Sequence, residues 1–276
     1  MNDNLIRDIL SNTKIAAHRG VAGGNIPGNT LDAFDAALAQ GADIIELDVA
    51  SSGDGGLFVF HPGMEWAYLG SERLIRDMTK EEVAGLRFLN GDRAYTTQKI
   101  FTLDEALEHL KGRCYINIDK YWENMESITE TVRRHGMTEQ ILVKTAPDLS
   151  VFSKMESIAP DIAYMLILRD VDNWTEQMVR WNVRYVGVEA IFAAEDAAIA
   201  SEEYIGRMHS QGKLIWVNAI VYDYRQVLSA GHNDDISVTG QRDEGWGWLL
   251  RRGFDIIQTD WPLMLKQYIE RDTYAL

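Results

Sequence analysis

The chain has 276 residues, 46% of them hydrophobic, enough to bury a full core, and a single α/β barrel of about 250 residues is of this size. Lys and Arg total 27 against 42 Asp and Glu, and the formal charge of −15, with no local basic patch, argues against nucleic acid or an anionic membrane as partner. The single cysteine, Cys114, excludes an intramolecular disulfide and reads as a small buried thiol in the apolar run CYINI.

The opening MNDNLIRDILSNTK alternates polar and apolar residues and lacks the continuous apolar stretch of a secretory signal. Nothing later is long enough to span a bilayer, so a soluble, cytoplasmic chain without stable membrane association is expected. Apolar, β-branched runs then alternate with helical patterns. Strands are expected at 15–18, 44–49, 115–119, 141–144, 163–168, 185–189, 214–218 and 256–259, each separated from the next by room for a helix. Between the first two, Leu31, Phe34 and Leu38 recur at helical spacing, with Gly41 as a C-terminal stop. Thr79 with Glu82, and Thr102 with Glu105, have capping-box spacing. Eight strand-then-helix units predict a closed (β/α)8 TIM barrel with its active site at the C-terminal ends of the strands; an open doubly wound sheet is the alternative. No internal repeat, low-complexity tract or linker interrupts the chain. Residues 1–276 therefore read as one domain, with a small insertion at about 62–101 after the second parallel strand.

The stretch 43–61 reads DIIELDVASSGDGGLFVFH. Side chains alternate along a strand, so Glu46 and Asp48 share one face while Ile45, Leu47 and Val49 take the other. The run from Leu57 follows after only SSGDGG, too short for a parallel crossover, so it must return antiparallel. A two-residue Asp54–Gly55 loop would pair residue 48 with residue 61 and hold His61 beside Asp48. The other strand ends bring His18 and Arg19, Asn117 and Asp119 with Lys120 beyond, Lys144, Glu189, Asn218 and Asp260 to the same mouth. Burying such groups is costly unless they bind something. A divalent cation is the natural occupant for Glu46, Asp48 and Asp119, and oxygen-only ligands favour magnesium or calcium over zinc. The two carboxylates could instead pair with Arg19 or Lys120 as a buried ion network.

The motifs IAAHRG, PGNTLDAF, GADIIELDV, the DG turn and FVFH, followed by FTLDEAL, Val217–Asn218 and TDWP, resemble the glycerophosphodiester phosphodiesterase family in order and spacing over essentially the whole chain. The resemblance implies a distorted (β/α)8 barrel that cleaves glycerophosphodiesters to an alcohol and glycerol phosphate. It implies His18 and His61 as catalytic histidines, Arg19 on the phosphate, and Glu46, Asp48 and Asp119 on one Mg2+ or Ca2+ ion. The nucleophile it implies is the substrate's own neighbouring hydroxyl, giving a cyclic phosphate that water opens. Histidine, with a pKa near operating pH, suits that acid–base work.

Three positions depart from the family pattern: Gly28 replaces a glutamate, Pro62 follows His61 in place of aspartate, and Lys120 is adjacent to Asp119 rather than alternate. Lys120 would then point away from Asp119's face unless the strand bends, and Lys144 would otherwise supply the phosphate-binding cation. Trp66, Tyr68, Tyr121, Trp122, Trp216 and Trp261 fall near the expected mouth, where rings can pack on a sugar or hold a choline cation, and Trp216 is the candidate for substrate contact. His109, His135, His209 and His232 read as structural, and Glu189, Asn218 and Asp260 as rim hydrogen-bonding groups. The expected partner is a small-molecule phosphodiester. The alternatives are an agrocinopine-like sugar-phosphodiester hydrolase, a lyase like the sphingomyelinase D group that releases a cyclic phosphate, and a noncatalytic barrel.

Overall fold

The computed structural model describes residues 4–273. Eight parallel strands, Lys14–His18, Ile44–Ser51, Tyr115–Asp119, Ile141–Thr145, Ala163–Arg169, Tyr185–Ile191, Leu214–Asn218 and Ile256–Thr259, pair in chain order, and the first also pairs with the last. The ring is closed, so the open-sheet alternative falls. Every strand expected from the β-branched runs is present, with some extended by one or two residues.

The strands bury both faces, which is why they read as continuous apolar runs. Inside the ring Ala16, Ile44, Leu142, Ala163, Met165, Leu214, Trp216 and Ile256 pack together, and Leu5 and Ile9 of helix Asn4–Ser11 pack onto this cluster. That helix leads directly into the first strand, so it closes the N-terminal end and leaves the C-terminal mouth for chemistry. Outside the ring Ile45, Leu47, Val49, Ile116 and Ile118 meet Phe34, Leu103, Leu107, Ile128 and Val132 from the surrounding helices. Each such side chain contributes about 1.5–3 kcal/mol on burial.

The local signals for helices work as their chemistry requires. The Thr30 hydroxyl caps helix Leu31–Ala39 by accepting from the Ala33 amide, and Gly41 turns left-handed (φ 90°) just past its end. Thr79 with Glu82 and Thr102 with Glu105 both form reciprocal capping boxes. One unit departs from the pattern: between the fifth and sixth strands the connection carries a 3-10 helix, Thr175–Arg180, in place of an α-helix. The register also slips there, with Tyr164 opposite Tyr185 but Met165 opposite Gly187. A Cβ at Gly187 would lie 1.9 Å from the Leu214 carbonyl oxygen, so only glycine permits that approach.

The second strand does return as an antiparallel hairpin through Leu57–Val59, but one residue out of the expected register. Val49 faces Val59, and the Phe60 amide donates to the Asp48 carbonyl, so Phe60 rather than His61 stands opposite Asp48. The loop is the cause. Ser52 N donates to Gly56 O and Gly55 N to Ser52 O, which makes a three-residue loop with Gly55 left-handed (φ 83°) instead of a two-residue Asp54–Gly55 turn.

Beyond the hairpin come two short helices, Glu65–Leu69 and Lys80–Ala84, and a two-stranded ribbon, Arg87–Leu89 with Tyr95–Lys99. Leu69, Ile75, Met78, Val83, Phe88 and Ile100 from this segment share a small apolar cluster with Ala50, Phe58 and Phe60 of the hairpin, which ties the insertion to the barrel rim. Among the described residues no helix is long and apolar enough to cross a membrane.

Candidate active site

The parallel register sets the site. His18 lies beside Glu46 and Glu46 beside Asn117, while Asp48 lies beside Asp119. Polar side chains from three neighbouring strands therefore converge at the mouth of an apolar ring. The chain then leaves the first strand sharply: Arg19 is left-handed (φ 58°) and its amide donates to a Glu46 carboxylate oxygen at 3.0 Å. Gly20 follows because a Cβ there would stand 2.6 Å from the Ala33 carbonyl group.

Glu46, Asp48 and Asp119 each present an oxygen, and these atoms lie within 4.8 Å of one another. Glu46 is 3% exposed and Asp48 1%. Burial, then the neighbouring Asp48 charge, push the Glu46 carboxyl up to about 7, against the opposing pull of His18 and Arg19. Asp48 Oδ2 faces Arg19 Nε at 2.9 Å and accepts from Asn29 Nδ2 at 2.9 Å, but Asp48 Oδ1 is buried with no hydrogen-bond donor. A crowded set of hard oxygens with one orphaned lone-pair site fits a divalent cation of the magnesium or calcium type.

Asn29 is the residue that sequence reasoning missed. It sits left-handed (φ 61°) in PGNT, 3% exposed, and clamps Asp48 from both ends: Nδ2 holds the carboxylate and Oδ1 accepts from the Asp48 amide at 3.2 Å. The signal was available in the N of PGNT, since asparagine tolerates this backbone region and carries both a donor and an acceptor. Asn29→Ala is expected to weaken divalent-cation binding about 10- to 100-fold without unfolding the barrel. Calorimetric titration with Mg2+ and Ca2+ checks it, and unchanged affinity would remove Asn29 from the site.

The two histidines have opposite environments. His18 Nδ1 contacts Asp260 Oδ1 at 2.9 Å. Burial disfavours its charged form, but the Asp260 hydrogen bond and the Glu46 and Asp260 charges outweigh burial and raise its pKa. His61 Nδ1 contacts the Pro62 carbonyl at 2.9 Å, which leaves Nε2 facing the cluster, 3.9 Å from Asp48 Oδ1. Burial comes first in lowering the His61 pKa; Arg19 and Lys120 add to it, and Asp48 only partly opposes it. Pro62 thus orients His61 through its backbone oxygen, which any residue provides. His61 approaches Asp48 from just beyond Phe60, the last hairpin residue bonded to the second strand, and not by cross-strand pairing.

Lys120 resolves the adjacency with Asp119. Its left-handed backbone (φ 57°) turns the chain so that Nζ folds back to Asp119 Oδ2 at 2.8 Å, over the Trp122 ring. Burial would raise the Asp119 pKa, but the Lys120 and Lys144 charges outweigh it and hold the carboxyl below its ordinary value. Lys144 lies deeper, 4% exposed at its side chain, paired with Glu189 at 2.6 Å and seated 3.9 Å from the Trp216 ring centre. The structure does not bring Trp216 to the mouth: it is wholly buried in the barrel interior, its indole N–H shared between Asn218 and Gln258. Tyr121 is likewise buried, bonded to Thr129. Trp66, Tyr68, Trp122 and Trp261 are exposed.

Position 28 faces Arg19: a Cβ there would lie 3.1 Å from the Arg19 Cβ, so the carboxylate of the family pattern would run alongside Arg19, which here turns to Asp48. His109 pairs with Asp35, His135 with Asp104 and His209 with Asp255, while His232 stacks on Trp248 at 3.9 Å.

A family model described as "Glycerophosphoryl diester phosphodiesterase family" matches residues 18–264. A glycerophosphodiester phosphodiesterase of Bacillus altitudinis is 34% identical over 173 residues, covering 58% of this chain and 68% of that protein. Among solved structures, a glycerophosphoryl diester phosphodiesterase from Parabacteroides distasonis superposes with a TM-score of 0.76 at 17% identity, covering 96% of this chain and 92% of that one. A phosphodiesterase from Oleispira antarctica, in complex with its product sn-glycerol-3-phosphate, gives a TM-score of 0.69 at 18% identity, covering 94% and 98%.

Proposed function

The chain belongs to the glycerophosphoryl diester phosphodiesterase family and is a phosphoric diester hydrolase, and on that premise we propose that it hydrolyses small glycerophosphodiesters to an alcohol and glycerol phosphate. In this reading His18 and His61 are the acid–base pair, Arg19 and Lys120 contact the phosphate, and Glu46, Asp48 and Asp119 hold one Mg2+ or Ca2+ ion. The observation that carries it is geometric: His18, held by Asp260 at Nδ1, and His61, held by the Pro62 carbonyl at Nδ1, both border the buried Glu46–Asp48–Asp119 cluster, and their surroundings shift the two rings in opposite directions. Pairs of titratable groups pushed apart by their surroundings mark the acid and the base.

Both Nδ1 atoms are engaged, so each histidine works through Nε2. His61, held neutral, accepts a proton at Nε2 from the attacking hydroxyl. His18, whose cationic form Asp260 favours, delivers one to the departing alcohol. The roles then reverse as water opens the cyclic phosphate, His18 taking a proton from the water and His61 giving one to the ring oxygen released, which restores both rings. The Arg19 and Lys120 cations face non-bridging phosphate oxygens and offset charge as it builds. A divalent ion in the carboxylate cluster, when bound, supplies further neutralisation of the phosphate. Lys144, sealed against Glu189 and Trp216, is assigned to supporting the barrel interior. At least one of the exposed Trp66, Trp122 and Trp261 is expected to contact the alcohol group, and the acidic surface suits small soluble diesters of the cytoplasm better than anionic membrane lipid.

The test is release of alcohol and phosphomonoester from glycerophosphocholine, glycerophosphoethanolamine and a sugar phosphodiester, with Mg2+, Ca2+ or EDTA. Cation-dependent cleavage by the wild type, lost in His18→Ala, is the expected result. A stable cyclic phosphate as sole product would make the protein a lyase, and no cleavage by folded protein would favour a noncatalytic barrel. Lys120→Ala is expected to raise KM about tenfold. Unchanged kinetics there, with a loss in Lys144→Ala, would transfer the phosphate contact to Lys144.

A further inference from the structure

Asp234 lies outside the carboxylate cluster, 2% exposed, at the start of the short helix Asp234–Val238 in the long connection before the last strand. Its amide donates to the Ala219 carbonyl at 2.7 Å, so it is anchored just past the end of the seventh strand. Its Oδ1 accepts from Trp246 Nε1 at 2.8 Å and from Thr259 Oγ1 at 2.7 Å; its Oδ2 accepts from the Asp260 amide at 2.8 Å. The Thr259 hydroxyl in turn accepts from the Trp261 amide at 2.9 Å. Three consecutive residues at the end of the last strand are thus tied to one buried carboxylate.

That arrangement has a cost that packing alone does not require. The donors are an indole, a hydroxyl and an amide, all neutral, and a buried carboxylate without a cationic partner is less stable than an apolar side chain of similar size. The Asp260 side chain, by contrast, is 45% exposed, so burial does not set its direction; its backbone does. It is this carboxylate that meets His18 Nδ1.

We propose that Asp234 is a positioning residue for turnover: by fixing the Asp260 backbone it aims the Asp260 carboxylate at His18, which fixes the ring so that Nε2 faces the substrate. The inference rests on the acid role proposed for His18. It extends that site to the connection between the seventh strand and the last.

The test compares Asp234→Asn, Asp260→Asn and the double variant. Asparagine keeps the shape and one acceptor for Trp246 and Thr259, but turns an N–H2 toward the Asp260 amide, so the tie to Asp260 is the one lost. Asp234→Asn is expected to lower kcat about tenfold with KM within twofold, Asp260→Asn about thirtyfold, and the double variant no further than Asp260→Asn alone. Independent, multiplicative losses would overturn the inference while leaving the His18 reading intact. An Asp260→Asn enzyme with wild-type kcat would instead overturn the His18 reading. The 15N shifts of the His18 ring report which nitrogen holds the proton whether or not any substrate turns over. They are expected to move alike in both single variants, and wild-type shifts in Asp234→Asn would sink the proposal. Should Asp234→Asn not fold, Thr259→Val, which removes one tie, is expected to lower kcat about threefold and to add nothing to Asp260→Asn; an additive loss there counts against it equally.

Discussion

Replacing His18 or His61 with alanine is expected to lower kcat by about 10³- to 10⁴-fold, the loss associated with removing a positioned proton donor or acceptor. The two variants should differ in what remains. His61→Ala removes the base and leaves His18 on Asp260, so the limb of the pH–rate profile governed by the acid persists. His18→Ala removes the acid, and only the limb governed by the base persists. In the wild type the His61 pKa is lowered from 6.5, so the base is available above that lowered value and is lost as pH falls through it. The His18 pKa is raised from 6.5, so the acid is available below that raised value and is lost as pH rises through it. The window in which both hold their working form straddles 6.5, giving a bell-shaped profile. A flat profile through that range, or either alanine variant retaining more than about a tenth of wild-type kcat, would remove the acid–base assignment.

Asp48→Asn carries the second large effect and separates a cation site from a buried ion network. Asp48 meets Arg19 and Asn29 through Oδ2, while Oδ1 has no hydrogen-bond partner among the described residues and only His61 Nε2 at 3.9 Å. If the cluster holds a divalent ion, adding Mg2+ or Ca2+ raises the wild-type melting temperature, since an ion at 100 times its Kd stabilises by about 2.7 kcal/mol. In Asp48→Asn that rise should disappear and turnover should fall about 10³-fold. Without metal, the variant should melt only modestly below wild type, because losing the Asp48 charge opposite Arg19 is offset by relief of the repulsion that raises the Glu46 pKa. An ion network predicts a larger loss. Removing one partner of a buried pair costs about 3–5 kcal/mol, so the variant would melt well below wild type with or without metal. Thermal denaturation with EDTA, Mg2+ and Ca2+ decides between the two.

Much of this site can be read from alternation and order. Glu46 and Asp48 share a face because a strand alternates, and the strand ends are where the apolar runs stop and polar residues begin. His18, Asp119 and Lys144 were located by the same argument. The residues that pattern reading placed wrongly or passed over share a different cause: in each, a backbone turn or a distant segment sets the outcome. Lys120 returns to Asp119 through a left-handed residue that strand alternation does not anticipate. Trp216 lies only two residues from the strand end, yet it sits below the mouth because the ring of neighbouring strands closes over it. Asn29 acts through a partner 19 residues away in the chain, and Asp260, expected as a rim hydrogen-bonding group, finds its partner His18 242 residues away.

The eight strands, the two capping boxes and the gathering of acids and histidines at the strand ends are legible in the sequence, where a closed barrel is the favoured reading over an open sheet. These follow from short-range rules, period 2 against period 3.6 and the hydrogen-bonding needs of helix ends, which act within a few residues. The hairpin register, the opposed environments of His18 and His61, and the contacts of Asn29 with Asp48 and of Asp260 with His18 emerge only once the chain is folded. Those depend on loop backbone angles and on burial and charge summed over strands far apart in the chain, and no local pattern encodes such sums.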